Sequence, residues 1–229
     1  MTNNIAEALK SAYNAITEFQ TKQQLNQQSR LIAVSKTKPA ASVAAAYQAG
    51  QRAFGENYVQ ELVSKATELH QLDGIEWHFI GPIQSNKTKD IALYADWVHS
   101  IDRLKIAERL SAQRPLDKAP LQVLLQVNIS GEASKSGIEP TDLLQLANAV
   151  ARLPQLTLRG LMAIPEPGKG AEAFAQMQKL SLQLQQQHPD AKELSMGMSD
   201  DWQQALTFGA TMIRLGTAIF GAREPQPHE

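Results

Sequence analysis

The pattern of apolar and polar positions divides the chain into a helical opening and a longer alternating region. In the opening, apolar residues recur every three or four positions, as on one face of an amphipathic helix. They are Ile5, Leu9, Ala12, Ile16 and Phe19. This spacing predicts an N-terminal helix over about residues 2–28. From residue 31 onward, short β-prone runs alternate with longer amphipathic segments.

The alternating region predicts eight strands separated by helices. The strands are expected at 31–35, 53–55, 77–80, 97–101, 122–128, 158–164, 193–198 and 212–215. Helical patterns cover 42–49, 59–69, 103–113, 143–152, 171–187 and 202–208. Because parallel strands need crossover connections, this alternation predicts a parallel sheet. An open doubly wound sheet gives the same pattern, but the count of eight favours a closed barrel.

We therefore predict an α/β fold with one domain over residues 1–229. Its architecture would be a single (β/α)8 TIM-type barrel over about 31–223, preceded by the extra helix and followed by a short tail at 224–229. A barrel of this length is usually a single domain. Its active site would lie at the carboxyl ends of the strands, where the connecting loops meet.

Composition narrows the classes of partner. The 22 Lys and Arg are scattered and nearly balanced by 23 Asp and Glu, so no nucleic-acid surface is expected. No apolar run approaches the roughly 20 residues that span a bilayer, and the N-terminus lacks a secretory pattern. The absence of cysteine excludes disulfides and thiolate metal sites. These features predict a cytoplasmic protein with no membrane partner.

Lys36 is the first candidate for chemistry. It ends the first predicted strand, where alternation puts Ile32, Val34 and Lys36 on one face. A lysine at the rim of an apolar strand can be partly desolvated, which lowers its pKa and helps its amine to attack carbonyls. The alternative is a solvated lysine at a strand end, which is the common fate of this residue type. Lys38 is a second amine nearby, but it lies past the strand.

Two loops at the predicted active-site end could bind an anion. Ser199 follows the seventh strand and precedes a helix that opens with Asp200 and Asp201, so it is either an anion ligand or a simple helix cap. Gly216 and Thr217 follow the eighth strand, where a glycine lets the backbone approach a ligand. Phosphate sites of such barrels recur in the loops after strands seven and eight.

Four further residues carry open alternatives. Arg214 lies within the apolar eighth strand, so it needs either a buried ion-pair partner or a ligand nitrogen or carboxylate. His78 and His99 lie in apolar runs and are interpreted as core histidines, since no cluster has metal-ligand spacing. Lys135 is either a solvated loop residue or a secondary cofactor contact.

A Schiff-base lysine facing a phosphate cradle is what a phosphorylated aldehyde cofactor requires, and the motifs resemble the pyridoxal phosphate homeostasis protein family. The segments that carry this resemblance are IAVSKTKP (32–39), FGENYVQE (54–61), WHFIG (77–81), SKSGI (134–138), SMGMS (195–199) and RLGTAIFG (214–221). That family is similar in fold to the barrel domain of alanine racemase.

The resemblance implies roles for six residues. Lys36 would hold pyridoxal phosphate as a Schiff base. The phosphate would be held by Ser199, Gly216 and Thr217. Arg214 would face the pyridine nitrogen, and Asn57 would line the pocket beside the ring. No metal is implied.

The implied function is storage or delivery of the cofactor, with apo-forms of pyridoxal phosphate enzymes as candidate partners, by a protein that we expect to be a monomer. Arg214 cannot accept a proton, so it would leave the ring a weak electron sink. No tyrosine follows the fifth predicted strand, and we expect no further domain to supply the second acid–base group of a racemase. Two alternatives remain: an amino-acid racemase, and a lysine aldolase that binds a sugar phosphate.

Overall fold

A closed barrel of eight parallel strands forms the centre of the computed structural model, which describes residues 2–131 and 136–222. Each strand pairs with the next, and β8 pairs with β1, as predicted. The predicted tail and Lys135 lie outside the described residues. The strands are β1 (Arg30–Val34), β2 (Ala53–Glu56), β3 (Glu76–Phe79), β4 (Trp97–Ile101), β5 (Leu121–Gln126), β6 (Leu156–Met162), β7 (Glu193–Ser195) and β8 (Met212–Leu215).

Helices cover the outside of the barrel. They are α1 (Thr2–Lys22), α2 (Ala40–Gln48), α3 (Val59–Glu68), α4 (Thr88–Tyr94), α5 (Leu104–Gln113), α6 (Leu143–Ala151), α7 (Gly170–Gln187), α8 (Trp202–Thr207) and the single turn α9 (Thr217–Phe220). Two short 3-10 helices cover Ser85–Lys87 and Pro140–Asp142. The sequence pattern did not predict α4 or α9, which are seven and four residues long. No helix in the described part of the chain is long and apolar enough to cross a bilayer.

The N-terminal helix is shorter than predicted. It packs against α2, α8 and α9 but ends at Lys22, whereas apolar periodicity suggested an end near residue 28. Gln24 adopts a left-handed φ of 55°, which cannot continue a helix. The chain then turns back, and the Gln20 side chain donates to the backbone oxygen of Gln27 and the hydroxyl of Ser29. The polar Gln-rich segment is therefore a turn that joins the helix to β1.

Three strands also end two or three residues earlier than predicted. The apolar runs 122–128, 158–164 and 193–198 extend past the ladders, which stop at Gln126, Met162 and Ser195. Apolarity alone does not mark where pairing stops. Beyond the ladders, Ile164 and Met198 remain partly exposed at the carboxyl end of the barrel. Their apolar character reflects a pocket rim rather than a strand.

The barrel interior is filled by its own cluster of side chains. These are Ile32, Ala53, Trp97, Leu124, Met162 and Met212. Trp97 begins β4 near the amino ends of the strands, where the guanidinium groups of Arg30 and Arg159 lie 5.3 and 5.1 Å from its ring. The larger core lies between the outer faces of the strands and the helices. The filled interior leaves the carboxyl end as the place for a ligand, as in other barrels of this type.

Candidate functional site

A cavity of about 290 Å³ lies at the carboxyl end of the barrel, near the lower limit of typical small-molecule pockets. Loops that follow β1, β2, β3, β6, β7 and β8 contribute to its lining. The structure brings together around this one cavity all six residues for which the resemblance implies a role. They are Lys36, Asn57, Ser199, Arg214, Gly216 and Thr217.

Lys36 is half-buried and follows β1 on the inward face. The backbone on both sides of it is held by fixed contacts. The Lys65 ammonium donates to the backbone oxygen of Ser35 at 2.7 Å, and the backbone N–H of Thr37 donates to the Glu61 carboxylate at 2.8 Å. Thr37 has a left-handed φ of 64°, a conformation that a β-branched residue adopts only under tertiary constraint. These contacts fix the direction in which Lys36 leaves the strand.

Lys38 also lines the cavity, so the structure presents two amines rather than one. Its ammonium donates to the backbone oxygen of Ala222 at 2.7 Å. This contact ties the loop after β1 to the segment after α9. The Lys38 ammonium is thus already hydrogen-bonded, although it lines the same cavity as Lys36.

The contacts around Lys36 depend on a buried ion pair that sequence reasoning missed. Lys65 on α3 lies 2.6 Å from Glu56 at the end of β2, and their side chains are 5% and 0% exposed. Burial raises the pKa of Glu56, and the charge and hydrogen bond of Lys65 oppose that rise. The Ser35 hydroxyl also donates to Glu56 at 2.6 Å. The sequence does contain a signal for this pair: Glu56 is an acidic residue at the end of an apolar strand, and a buried charge of this kind needs a partner.

The loops after β7 and β8 bring two hydroxyl groups and a glycine together at the cavity. The hydroxyl oxygens of Ser199 and Thr217 lie 3.5 Å apart. Gly216 directly precedes α9, and a Cβ at this position would come within 3.1 Å of the Val34 backbone oxygen. The first N–H groups of a helical turn have no acceptor within the turn, so they are available to a ligand. Two hydroxyls and a glycine at a helical start suit a phosphate.

The alternative interpretation of Ser199 as a helix cap does not hold in this structure. The cap position of α8 is Asp201, whose carboxylate accepts the backbone N–H of Met198 at 2.7 Å. Ser199 lies ahead of that position and is exposed at the cavity. Its hydroxyl is thus open to a ligand.

Asn57 supplies a polar atom that lacks a partner. Its Oδ1 is buried, and within the described residues it has no hydrogen-bond partner. A buried amide oxygen without a partner costs free energy unless a ligand or water satisfies it. The position of Asn57 is tightly determined, because a Cβ at Gly81 would lie 2.1 Å from the Asn57 backbone oxygen. This orphaned oxygen in the cavity wall fits a site that a ligand completes.

Arg214 forms the inner part of the cavity wall and is 3% exposed. Its guanidinium donates to the Ser195 hydroxyl at 2.5 Å and to the Ala163 backbone oxygen at 3.2 Å. None of the ion pairs formed between described residues involves Arg214, so the expected alternative of a contacting carboxylate is not observed. Burial lowers its pKa to about 10, which leaves it charged at neutral pH. Its donors suit an acceptor such as an unprotonated ring nitrogen.

The two core histidines lie beneath Arg214 inside the barrel. His78 and His99 are both fully buried, and their rings are joined by a 2.8 Å hydrogen bond between Nδ1 and Nε2. Burial lowers the pKa of each imidazole. Across residues 2–131 and 136–222, no three histidine or acidic side chains gather in a way that could hold a metal ion.

Comparison with known proteins is consistent with this geometry. The profile of the family described as "Alanine racemase, N-terminal domain" matches residues 14–224. The pyridoxal phosphate homeostasis protein of Vibrio cholerae is 59% identical over 202 residues, which cover 85% of this chain and 86% of the relative. That of Escherichia coli K12 is 55% identical over 200 residues, with 85% and 86% covered.

Solved structures show the same fold. PipY of Synechococcus elongatus with pyridoxal phosphate bound is 42% identical and superposes with a TM-score of 0.80, covering 95% of this chain and all of PipY. Alanine racemase from Corynebacterium glutamicum, at 15% identity and a TM-score of 0.69, covers all of this chain and 63% of the racemase. The racemase shares the barrel, and at that identity the likeness concerns fold alone.

Proposed function

The chain belongs to the pyridoxal phosphate homeostasis protein family, and we propose that it holds pyridoxal phosphate on Lys36 as a Schiff base. In this proposal the protein buffers the cofactor or delivers it to apo-enzymes, with little or no catalysis of its own. The observation that carries the proposal is the convergence of Lys36, Arg214 and the Ser199–Thr217 hydroxyl pair on one cavity.

Each residue has a role that follows from its position. The Lys36 amine condenses with an aldehyde, with loss of water. Ser199 and Thr217 would donate hydroxyl hydrogen bonds to the phosphate beside Gly216, whose missing side chain lets the start of α9 lie close to Val34. Arg214 donates an N–H toward the ring nitrogen from the inner wall. When bound, the cofactor supplies a reactive aldehyde and an electron-accepting ring.

The same lining argues against strong catalysis. Arg214 can only donate, so the ring nitrogen stays unprotonated and the ring is a weak sink for a carbanion. Within the described residues that line the cavity, Lys36 and Lys38 are the only ionisable side chains besides Arg214. Racemisation needs acid–base groups on both faces of the substrate carbon. Lys38 is the one candidate for the second group, and its ammonium donates to Ala222.

The rim suits exchange of the cofactor. Ile164 and Met198 line the cavity and are each 43% exposed, so the lip of the site is apolar and open to solvent. An enzyme that protects a reactive intermediate usually excludes water by closing over its site. A recipient protein could contact these exposed apolar residues at the cavity entrance. We expect this protein to be a monomer, in which they stay accessible.

Turnover and transfer together test the proposal. Holo-protein incubated with alanine or serine in deuterium oxide should show no enzyme-like exchange at Cα, and chiral analysis should show no interconversion. Exchange at roughly 1 per second or more would overturn the carrier role in favour of a racemase. Under the same conditions, an apo-aminotransferase mixed with holo-protein should regain activity, whereas a Lys36→Ala preparation treated with cofactor and desalted should not restore it.

A further inference from the structure

An unbroken line of hydrogen bonds crosses the barrel interior beneath the cavity. Arg214 donates to the Ser195 oxygen at 2.5 Å, and that oxygen lies 2.8 Å from His99 Nδ1. His99 Nε2 lies 2.8 Å from His78 Nδ1, and His78 Nε2 lies 2.6 Å from the Glu76 carboxylate. Glu76 begins β3 at the amino end of the barrel. The line therefore joins the cavity wall to the opposite end of the fold.

The groups at the two ends of the line together determine the proton positions along it. Arginine has no acceptor, so the Ser195 oxygen receives its N–H, which leaves the Ser195 proton available to His99 Nδ1. His99 consequently carries its proton on Nε2 and donates it to His78 Nδ1. His78 in turn carries its proton on Nε2 and donates to Glu76. Each group donates toward Glu76, and both imidazoles are neutral.

The other end of the line leads to the same assignment. Burial alone would raise the pKa of Glu76, but the hydrogen bond from His78 and the charge of Arg30, 2.9 Å away, oppose that rise and keep the pKa below its ordinary value. Glu76 is thus an ionised acceptor. The His78 ring also stacks on Trp97, with centroids 5.4 Å apart and planes 12° from parallel, which opposes rotation of the ring.

We propose that Ser195, His99 and His78 are positioning residues that orient the Arg214 guanidinium as a fixed donor toward the cavity and connect it to the negative charge of Glu76. A buried arginine needs compensation, and no carboxylate contacts Arg214 within the described residues. The aligned dipoles of the line add to the compensation that the charge of Asp201 provides. Two of the guanidinium N–H groups are used by Ser195 and Ala163, so its plane and its remaining donors are set.

The tautomers can be measured without any cofactor. In apo-protein labelled with 15N-histidine, long-range 15N–1H correlation spectra at neutral pH should show both buried imidazoles neutral with the proton on Nε2. His78→Gln and His99→Gln variants assign the signals. A proton on Nδ1 of either ring, or a doubly protonated ring, would overturn the donor order and with it the proposed line.

A second arm measures the effect on the cofactor, and this arm rests on the proposed function. With 15N-labelled pyridoxal phosphate, Ser195→Ala should move the ring-nitrogen signal and weaken cofactor binding roughly 2- to 30-fold, the range of coupling through indirect contacts. Ser195→Thr keeps the hydroxyl and should retain the wild-type signal. An unchanged ring-nitrogen signal in a folded Ser195→Ala protein contradicts the role toward Arg214.

The two arms separate the possible failures. If wild-type protein shows the expected histidine tautomers but binds no pyridoxal phosphate, the proposed function is wrong and the internal line stands. If it binds the cofactor but either tautomer differs, the line is wrong and the proposed function stands. If Ser195→Ala does not fold, the wild-type histidine spectra decide the matter.

Discussion

Replacing Lys65 with methionine should destabilise the protein strongly, because it removes the partner of a buried carboxylate. Lys65 on α3 lies 2.6 Å from Glu56 and 2.7 Å from the Ser35 backbone oxygen, and both side chains of the pair are almost fully buried. Methionine keeps much of the apolar stem, so the packing loss is small. The main loss is the positive charge.

The magnitude follows from the state of Glu56 after the change. Breaking a buried pair by removing one partner typically costs about 3–5 kcal/mol, because an uncompensated charge remains inside. The remaining partner of the Glu56 carboxylate would be the Ser35 hydroxyl. We expect Lys65→Met to lose about 3–5 kcal/mol of unfolding free energy at pH 7. The double variant Glu56→Gln/Lys65→Met should recover most of this loss, because neither charge then remains.

The loss should also depend on pH in a defined direction. Burial raises the pKa of Glu56 above its ordinary value of 4.5, and removing Lys65 takes away the main influence that lowers it. A carboxyl whose pKa is raised in the folded state favours the protonated folded form. Its contribution to stability is therefore present at low pH and is lost as pH rises through the folded pKa. The deficit of Lys65→Met should shrink as pH falls from 7 toward 4.5.

Urea unfolding at pH 7 and pH 5 measures both effects. Lys169→Met, which breaks an exposed contact with Glu166, is the matched control and should leave the unfolding midpoint unchanged. A loss below about 1 kcal/mol for Lys65→Met at pH 7, or a deficit that grows on acidification, would refute the reasoning about Glu56.

Three further changes test the cavity. Ser199→Ala should weaken pyridoxal phosphate binding by about 1.5–3 kcal/mol, the cost of one hydrogen bond to a charged group; unchanged affinity on titration would remove Ser199 from the site. Gly81→Ala should destabilise the fold and displace Asn57, because the new Cβ would overlap the Asn57 backbone. Gly55→Ala is the control and should cost less, because its Cβ would meet only side-chain atoms, the nearest at 3.2 Å. Equal melting temperatures for the two variants would contradict this. Lys38→Met should still bind the cofactor covalently, as absorbance and intact mass would show.

The sequence was sufficient for features that depend on near neighbours. Lys36 was identified because it ends an apolar run, on the same face as Ile32 and Val34, and Arg214 because it interrupts one. The barrel closure then brought the strand ends together around one cavity, as the alternation of eight strands predicted. Ser199 and Thr217 meet for the same reason, since both follow adjacent strands.

Features that depend on distant contacts could not be predicted in this way. Glu56 and Lys65 are separated by a turn and meet only when α3 packs on the barrel. His78 and His99 were interpreted singly as core residues. The hydrogen bonds that join them to Arg214 form only when side chains from four strands, β3, β4, β7 and β8, meet inside the barrel. The end of each strand also depends on pairing with neighbours, which apolarity does not encode.

Borohydride reduction followed by mass spectrometry tests most directly whether Lys36 carries the cofactor. The account predicts one reduced cofactor per chain, located on the peptide that contains Lys36, with none fixed in Lys36→Ala and a full equivalent in Lys38→Met. Reduced cofactor on Lys38 in the wild-type protein, or one equivalent fixed in Lys36→Ala, would contradict it.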